Sequence, residues 1–541
     1  MDRTTVEGTL GQHKRVFVRE ATGLVRDFGS AEALYLTVGS VIGFGWISLY
    51  VGMWGTFPGV NIPLSFVLIS LLAAVQVGYY VLIAILMPRT GGGSYVPLSR
   101  TIHPILGLRA GFALVFAVIL NCGYAASVIA SVGISGPIAV YGTISNNAGL
   151  QSIGQLIGST GAVFAIGTAL IIIVTIVSLL GNRIVKPFLW ITFILATLGY
   201  VSIMAVLLIT PQGQFKAAFD NFVGTGAYSN VVDVARKAGW NTSSPWAMPT
   251  LLSLPFSFFL LAGYFCQTYF AGEVRRVSRT IAVAAWGSIV YFIVIFGGLA
   301  FLMQRSFGGD FMTSISYLYT SQPSLYTLSV PPYVTAFVAI ANTSPLVTAM
   351  VVLGMIGIGL LSAFVFLFLG SRFILAFAFD RAVPSAFGAV NDRLHTPVVA
   401  LTFIGVLSWI AFVFYTYASP FIGAVNLTFV FTFAFLFDGL AGIALVWRRR
   451  DIFDAAPPIV KKKIGGIPVI TILGAYSVIF VGALLVLCIV NPIYGGPFGV
   501  VTAGSVVGAF VLAAVCYVTM KKYLARGGLD IVFVFKEIPP E

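Results

Sequence analysis

Apolar runs alternate with short polar segments over nearly the whole chain. Runs of 18 or more mostly apolar residues recur at about 31–54, 62–87, 105–132, 158–181, 187–210, 249–271, 280–303, 344–379, 397–417, 420–447, 468–490 and 498–520. Each can cross a hydrocarbon core of about 30 Å, so the pattern predicts an all-α membrane protein with twelve transmembrane helices. The eighth run is too long for one crossing, and its last turns, Arg372 to Asp380, are expected to leave the membrane. The polar, charged segment 1–30 has no short apolar region with a cleavage site, so no removable signal peptide is expected.

Two runs contain helix-breaking residues. The first carries Gly39-Ser40-Val41-Ile42-Gly43-Phe44-Gly45-Trp46, with glycines that weaken helical hydrogen bonding inside an apolar stretch. Unpaired backbone groups at membrane depth survive only when buried in protein or lining a wet cavity. Half-helix ends there would offer N–H groups to an anion and carbonyls to a cation, the two charges of an amino acid zwitterion. Glycines that merely allow close helix packing are the alternative. The sixth run carries a second such stretch, Leu254-Pro255 through Gly263-Tyr264. Runs one and six each open a set of five. Interruptions at matching positions of two halves point to a transporter binding site, and an odd number of spans per half requires the second half to run inverted. Runs eleven and twelve are then extra C-terminal helices.

Charge fixes the expected orientation. The chain is 59% hydrophobic and only 9% charged, against about 25% in soluble domains. With the N-terminus inside, 26 of 30 Lys and Arg residues fall in cytoplasmic segments, and only Lys216, Arg236, Lys237 and Arg305 lie outside. This is the positive-inside asymmetry, and it requires an even number of spans with both termini cytoplasmic. The net charge of +13 is thereby explained without nucleic acid. The expected division is 1–30 cytoplasmic, 31–210 the first repeat, 211–248 an extracellular loop, 249–447 the second repeat, 448–467 a basic cytoplasmic loop, 468–520 helices 11 and 12, and 521–541 a cytoplasmic tail. Loop 211–248 is expected to hold a short helix over the mouth. Loop 304–343, with Pro331-Pro332, is expected to form a surface or re-entrant gate. Asn241-Thr242-Ser243 and Asn342-Thr343-Ser344 are glycosylation-type sequons. The four cysteines have no C-x-x-C spacing, and the three histidines lie between spans, so no metal or histidine-based catalytic site is expected.

Four motifs then converge. Gly39-Ser40-Val41-Ile42-Gly43-Phe44-Gly45 is followed by Met87-Pro88-Arg89-Thr90-Gly91-Gly92-Gly93-Ser94-Tyr95 with Ser99-Arg100 and Pro104. Gly263 precedes Glu273-Val274 and Arg279, and Arg372 to Pro384 is closed by Thr396-Pro397. In this order, over residues 30–450, they resemble the amino acid–polyamine–organocation superfamily. The resemblance implies a five-plus-five inverted repeat, the leucine-transporter-like fold, and transport by alternating access. It implies that Ser40 and Gly43, Phe44 and Gly45 hold a substrate carboxylate, while Val41, Ile42, Phe258, Phe259, Leu260 and Leu261 offer carbonyls to the amino group. Phe44 replaces a small residue usual in the family, and Leu260 and Leu261 stand where an aromatic gate residue is common. Both departures reshape the pocket.

Further candidates are single residues. Asp438 is an acid well inside a span, a candidate proton carrier or partner of a cationic substrate, with a structural carboxylate as the alternative. Glu273, near Arg275, Arg276 and Arg279, is a candidate inner gate, against a solvated surface pair. Ser362 could join helix 1 carbonyls around sodium, although a helical serine commonly bonds its own backbone. Tyr124 could aim its hydroxyl at the site or simply pack. Span five carries no lysine, so coupling through such a lysine is not expected. The tail Asp530–Phe535 is apolar enough to dock, with no indication of where. The expected function is a secondary active transporter of amino acids, or related organic cations and polyamines, in the plasma membrane. No cofactor is expected, and a proton is favoured over sodium for coupling. The lipid bilayer is the expected surrounding, and the sequence carries no indication of oligomeric state. A non-transporting amino acid sensor on the same fold is the main rival. An enzyme is disfavoured because paired acids and nucleophile–base spacings are absent from the spans, and a channel because no filter motif is seen.

Overall fold

The computed structural model describes residues 24, 26–43, 45–88, 91–241, 245–261, 263–328, 331–417, 420–494, 500–528 and 531–536. Phe44, Arg89, Thr90, Thr242, Ser243 and Asp530 fall outside these residues. The first apolar run is split into α1 (Ser30–Val41) and α2 (Gly45–Thr56), and α3 (Ile62–Leu86) returns. A short α4 (Tyr95–Thr101) leads into α5 (Pro104–Val128), which continues through a π-helical stretch, Ile129–Ser135, into α6 (Gly136–Ile144). Then come α7 (Ala148–Gly158), α8 (Thr160–Leu179) and α9 (Asn182–Ile209). Loop 211–248 forms two helices rather than the single one expected, α10 (Gln212–Val223) and α11 (Ala227–Lys237).

The second half begins with α12 (Ala247–Leu261) and continues with α13 (Val277–Phe292), α14 (Gly298–Phe307), α15 (Gly309–Ser321) and α16 (Val334–Ala341). The long α17 (Pro345–Phe379) is followed by α18 (Val398–Tyr417), α19 (Pro420–Phe435) and α20 (Asp438–Arg448). After α21 (Arg450–Asp454), β1 (Lys463–Ile464) and β2 (Ile467–Pro468) make a small antiparallel hairpin within the otherwise helical chain. The chain closes with α22 (Val469–Val490), α23 (Val500–Arg526) and α24 (Ile531–Lys536).

Among the described residues, 11 helices are long and apolar enough to cross a membrane. The halves α1 and α2, of 12 residues each, are individually too short. Helix α17 is apolar on all sides and deeply buried, as a helix at the centre of a bundle must be. It crosses α9 where Gly199 meets Gly354: a Cβ added to Gly199 would lie 2.6 Å from the Gly354 Cα. Small residues at such a crossing bring backbones into contact where water supplies no driving force. By contrast α8, α9 and α23 expose Ile172, Ile176, Ile191, Leu198, Val511 and Val515, an outer surface matched to lipid chains.

At one end of the bundle α10, α11, α15 and α16 pack through aromatic rings. Tyr228 stacks on Phe311 with centroids 4.4 Å apart, and Phe215, Phe219 and Phe337 complete the cluster. Loop 304–343 is thus largely helical, with α16 buried. The opposite end of α17 gathers residues near both chain termini, and the candidate site lies between these ends.

Candidate functional site

Helix α1 ends where the Ile42 amide makes its last helical bond, 2.9 Å to Val38 O. Gly39, Ser40 and Val41 are still helical, so Ile42 and Gly43 are the described residues between α1 and α2, a shorter interruption than the glycine spacing predicts. The Ile42 carbonyl accepts from the Tyr200 hydroxyl of α9 at 3.1 Å. Gly43 faces α17, where a Cβ would lie 2.9 Å from Ser362 Oγ, and that buried hydroxyl oxygen has no partner among the described residues. Gly45 opens α2, whose N-terminal amides therefore start at the break.

The second break also differs from expectation. Pro255 does not interrupt α12, which runs through it to Leu261. Tyr494 donates to the Leu252 carbonyl beside the proline at 2.7 Å, and Ser65, Ser253 and Ser257 share hydroxyl bonds alongside. The helix comes apart after Leu261, where the Gly263 and Tyr264 amides both turn onto Leu261 O instead of the carbonyls four residues back. Only 3-10 turns, at Cys266–Thr268 and Ala271–Glu273, follow before α13.

The last turn of α1 touches the second break. Ser40 Oγ donates to Thr37 O at 2.6 Å and to Gly263 O at 3.1 Å. A Cβ on Gly263 would sit 2.1 Å from Ser40 Oγ and 2.7 Å from the Ser40 carbonyl carbon, so only glycine permits this approach. The unwound segment is tied to α3 as well, since Tyr264 donates to Gln76.

The remaining candidates are less concentrated. Phe258 packs on Phe480 and Phe435, between α22 and α19, and Phe259 packs on Phe431 of α19. Leu260 and Leu261 are buried in the core. Tyr124 lies edge-on against Tyr415 at 5.8 Å. Asp438 is held by α3 and the segment before α4, and it shares a small cavity with Thr268 of the unwound segment.

Glu273 lies in the unwound segment, buried, and its partner is not one of the neighbouring arginines. Arg372 of α17 grips it through two bonds, Nε to Oε1 at 2.7 Å and an Nη to Oε2 at 2.8 Å, with the guanidinium over the Phe368 ring. A solvated surface pair is therefore excluded. At the same end, Asp380 caps α17 and is buried against Arg100 of α4, at 2.6 and 2.7 Å, and accepts from Tyr95. The segment before α1 is stitched over this region: the Asp27 and Phe28 amides both donate to Glu273 O, and the Arg275 amide to Phe28 O. A hydrogen bond from Lys186, helped by Arg275, holds the Asp27 carboxyl below the usual carboxylate range.

Tyr200 escapes the sequence reading, as do the partners of Arg372, Arg100 and Asp380, which enter it only as motif residues. The signal available was a polar residue in an otherwise apolar run, which Tyr200 and Arg372 both satisfy. A family model described as amino acid permease matches residues 28–520. No curated protein matches the chain.

Proposed function

The chain belongs to the amino acid permease family, and on that premise we propose that it is a secondary active transporter carrying an amino acid across the plasma membrane by alternating access. In this reading α1 and α2 together make one crossing, giving twelve, with both termini cytoplasmic. Helices α1–α9 and α12–α20 form the two inverted repeats, and α22 and α23 are additions. The N-terminal amides of α2, beginning at Gly43–Gly45, would receive the substrate carboxylate. Carbonyls at the ends of α1 and α12 would receive its ammonium group, each helix dipole having the sign its guest requires. The Glu273–Arg372 and Arg100–Asp380 pairs would close the cytoplasmic side, and opening inward would separate them.

The contact between Ser40 and Gly263 carries this reading, since it brings two broken helices together at one point. Membrane helices break in this way where irregular backbone serves a cavity. The test is counterflow. Purified protein in liposomes preloaded with unlabelled amino acids is expected to accumulate the labelled ones transiently. A sensor would bind, and be stabilised by mass action, without moving label, and that result would overturn transport.

A further inference from the structure

Asp438 begins α20, and a turn at Leu436 and Phe437 separates it from α19. Its two carboxylate oxygens have different surroundings. Oδ2 accepts from the Tyr80 hydroxyl at 2.9 Å and from Ser94 Oγ at 2.5 Å. Oδ1 is buried with no hydrogen-bond partner among the described residues. The residue is only 2% exposed, and its backbone carbonyl is taken by the Tyr79 hydroxyl. Asp438 lines a cavity of about 10 Å³ together with Tyr79, Tyr80, Gly93, Ser94 and Thr268, room for about one water molecule.

We infer that Asp438 binds the coupling proton, receiving it at Oδ1 from a water in this cavity while Tyr80 and Ser94 hold Oδ2. The inference rests on the transport reading above. The step is a proton transfer alone: a hydronium-like water gives up H⁺, a neutral carboxylic acid and one water result, and nothing is oxidised or reduced. The donor set suits a proton better than a metal cation. Hydroxyl groups point their hydrogens at Asp438, whereas a hard cation needs several converging oxygens.

The charged and titratable groups acting on the carboxylate are Tyr79 and Tyr80 of α3, Tyr264 and Tyr269 of the unwound segment, and Arg109 of α5. Arg109 donates to the carbonyls of Phe433 and Ala434 and lies over the Phe433 and Phe437 rings, so it is bound to the end of α19. Ser94 connects the proton to the gate. It follows Gly92, whose amide donates to Tyr269 O at 3.2 Å, and precedes Tyr95, which donates to Asp380. Charge-assisted bonds weaken when the acceptor is neutralised, so a proton on Asp438 loosens the segment that joins Tyr269 to Asp380.

The experiment compares the full-length protein with Asp438→Asn in proteoliposomes, using a labelled mixture of the standard amino acids. Counterflow at equal pH is expected to stay within about twofold of wild type, while accumulation driven by an inward proton gradient falls at least about tenfold. Infrared difference spectra between acidic and alkaline buffer are expected to show a carboxylic acid band that Asp438→Asn abolishes. Full gradient-driven accumulation by the variant, or persistence of the whole band, overturns the proposal. So does accumulation that follows a sodium gradient and is lost in the variant. Should Asp438→Asn fail to fold, Ser94→Ala and Tyr80→Phe serve. Each removes a donor to the charged form, and the band is expected at higher pH; an unmoved band counts against Asp438. Wild-type protein without counterflow would fail the transport reading alone, because the infrared band reports the proton site independently.

Discussion

The Tyr200 hydroxyl meets the carbonyl oxygen of Ile42 at 3.1 Å, so α9 supplies a neutral donor at the point where α1 comes apart. Both residues are buried. Tyr200→Phe keeps the ring and leaves the carbonyl without that donor, an unsatisfied buried group worth about 1–3 kcal/mol. Thermal unfolding in detergent is expected to show a lowered midpoint, with substrate stabilisation reduced in parallel. An unchanged midpoint would mean that the carbonyl recruits another donor.

Gly263→Ala places a methyl group against Ser40, at 2.1 Å from its Oγ and 2.7 Å from its backbone. The serine rotamer can change but the backbone cannot move freely, so strain of about 1–3 kcal/mol falls on the contact between the two broken helices. Uptake is expected to drop by at least about tenfold while the protein still inserts and elutes as a single species. Gly297→Ala is the control, since a Cβ there meets nothing within 4 Å.

Arg372→Ala leaves Glu273 buried and unpaired, and breaking such a pair destabilises by about 3–5 kcal/mol. The double variant Glu273→Ala/Arg372→Ala removes both charges and is expected to unfold at a higher temperature than Arg372→Ala alone. If the pair closes the end of the bundle where it lies, Ala376→Cys, at the same cavity as Glu273 and Arg372, is expected to react faster with a membrane-impermeant thiol reagent in the double variant. Additive stability losses would show that the two residues act independently.

Asp27 supplies a pH test outside the membrane. Its folded-state carboxyl lies below the usual range because Lys186, and then Arg275, bind the charged form. The stability it contributes is therefore present above the unfolded value of about 3.9 and fades as pH falls through the lower folded value. Wild type and Asp27→Asn are expected to differ in thermal midpoint at neutral pH and to converge on acidification below about pH 4. A difference that persists unchanged in acid would assign the effect to packing.

The sequence reading and the structure diverge where local chemistry competes with tertiary contact. Glycines at 43 and 45 correctly mark the first break, yet Gly39 stays helical because α1 is packed along that turn. Pro255 draws attention too early in the sixth run, since α12 runs through it and yields only after Leu261. The turn before Asp438 has no glycine or proline within it, and an acid in the first turn of α20 is its only local sign. Partners such as Arg372 for Glu273, 99 residues apart, depend on chain topology and have no signature in spacing. The apolar tail, whose target is invisible in the sequence, lands on α4.

That last placement leads to a further expectation. The Phe535 ring of α24 lies 5.1 Å from the Arg100 guanidinium, which is also paired with Asp380. Both side chains of the pair are 0% exposed. A cation over an aromatic ring gains about 0.5–2 kcal/mol, more as water is excluded, and ion attraction weakens as the local dielectric rises. Phe535→Ala removes both the ring and the cover, so its thermal midpoint is expected to fall. Phe535→Leu keeps an apolar cover without the ring and should lie between Phe535→Ala and wild type. Combining Phe535→Ala with Asp380→Asn tests the connection, because residues acting through one arginine should couple by about 0.5 kcal/mol or more. Strict additivity, or a wild-type midpoint for Phe535→Ala, would mean that the tail rests on α4 without supporting the ion pair beneath it.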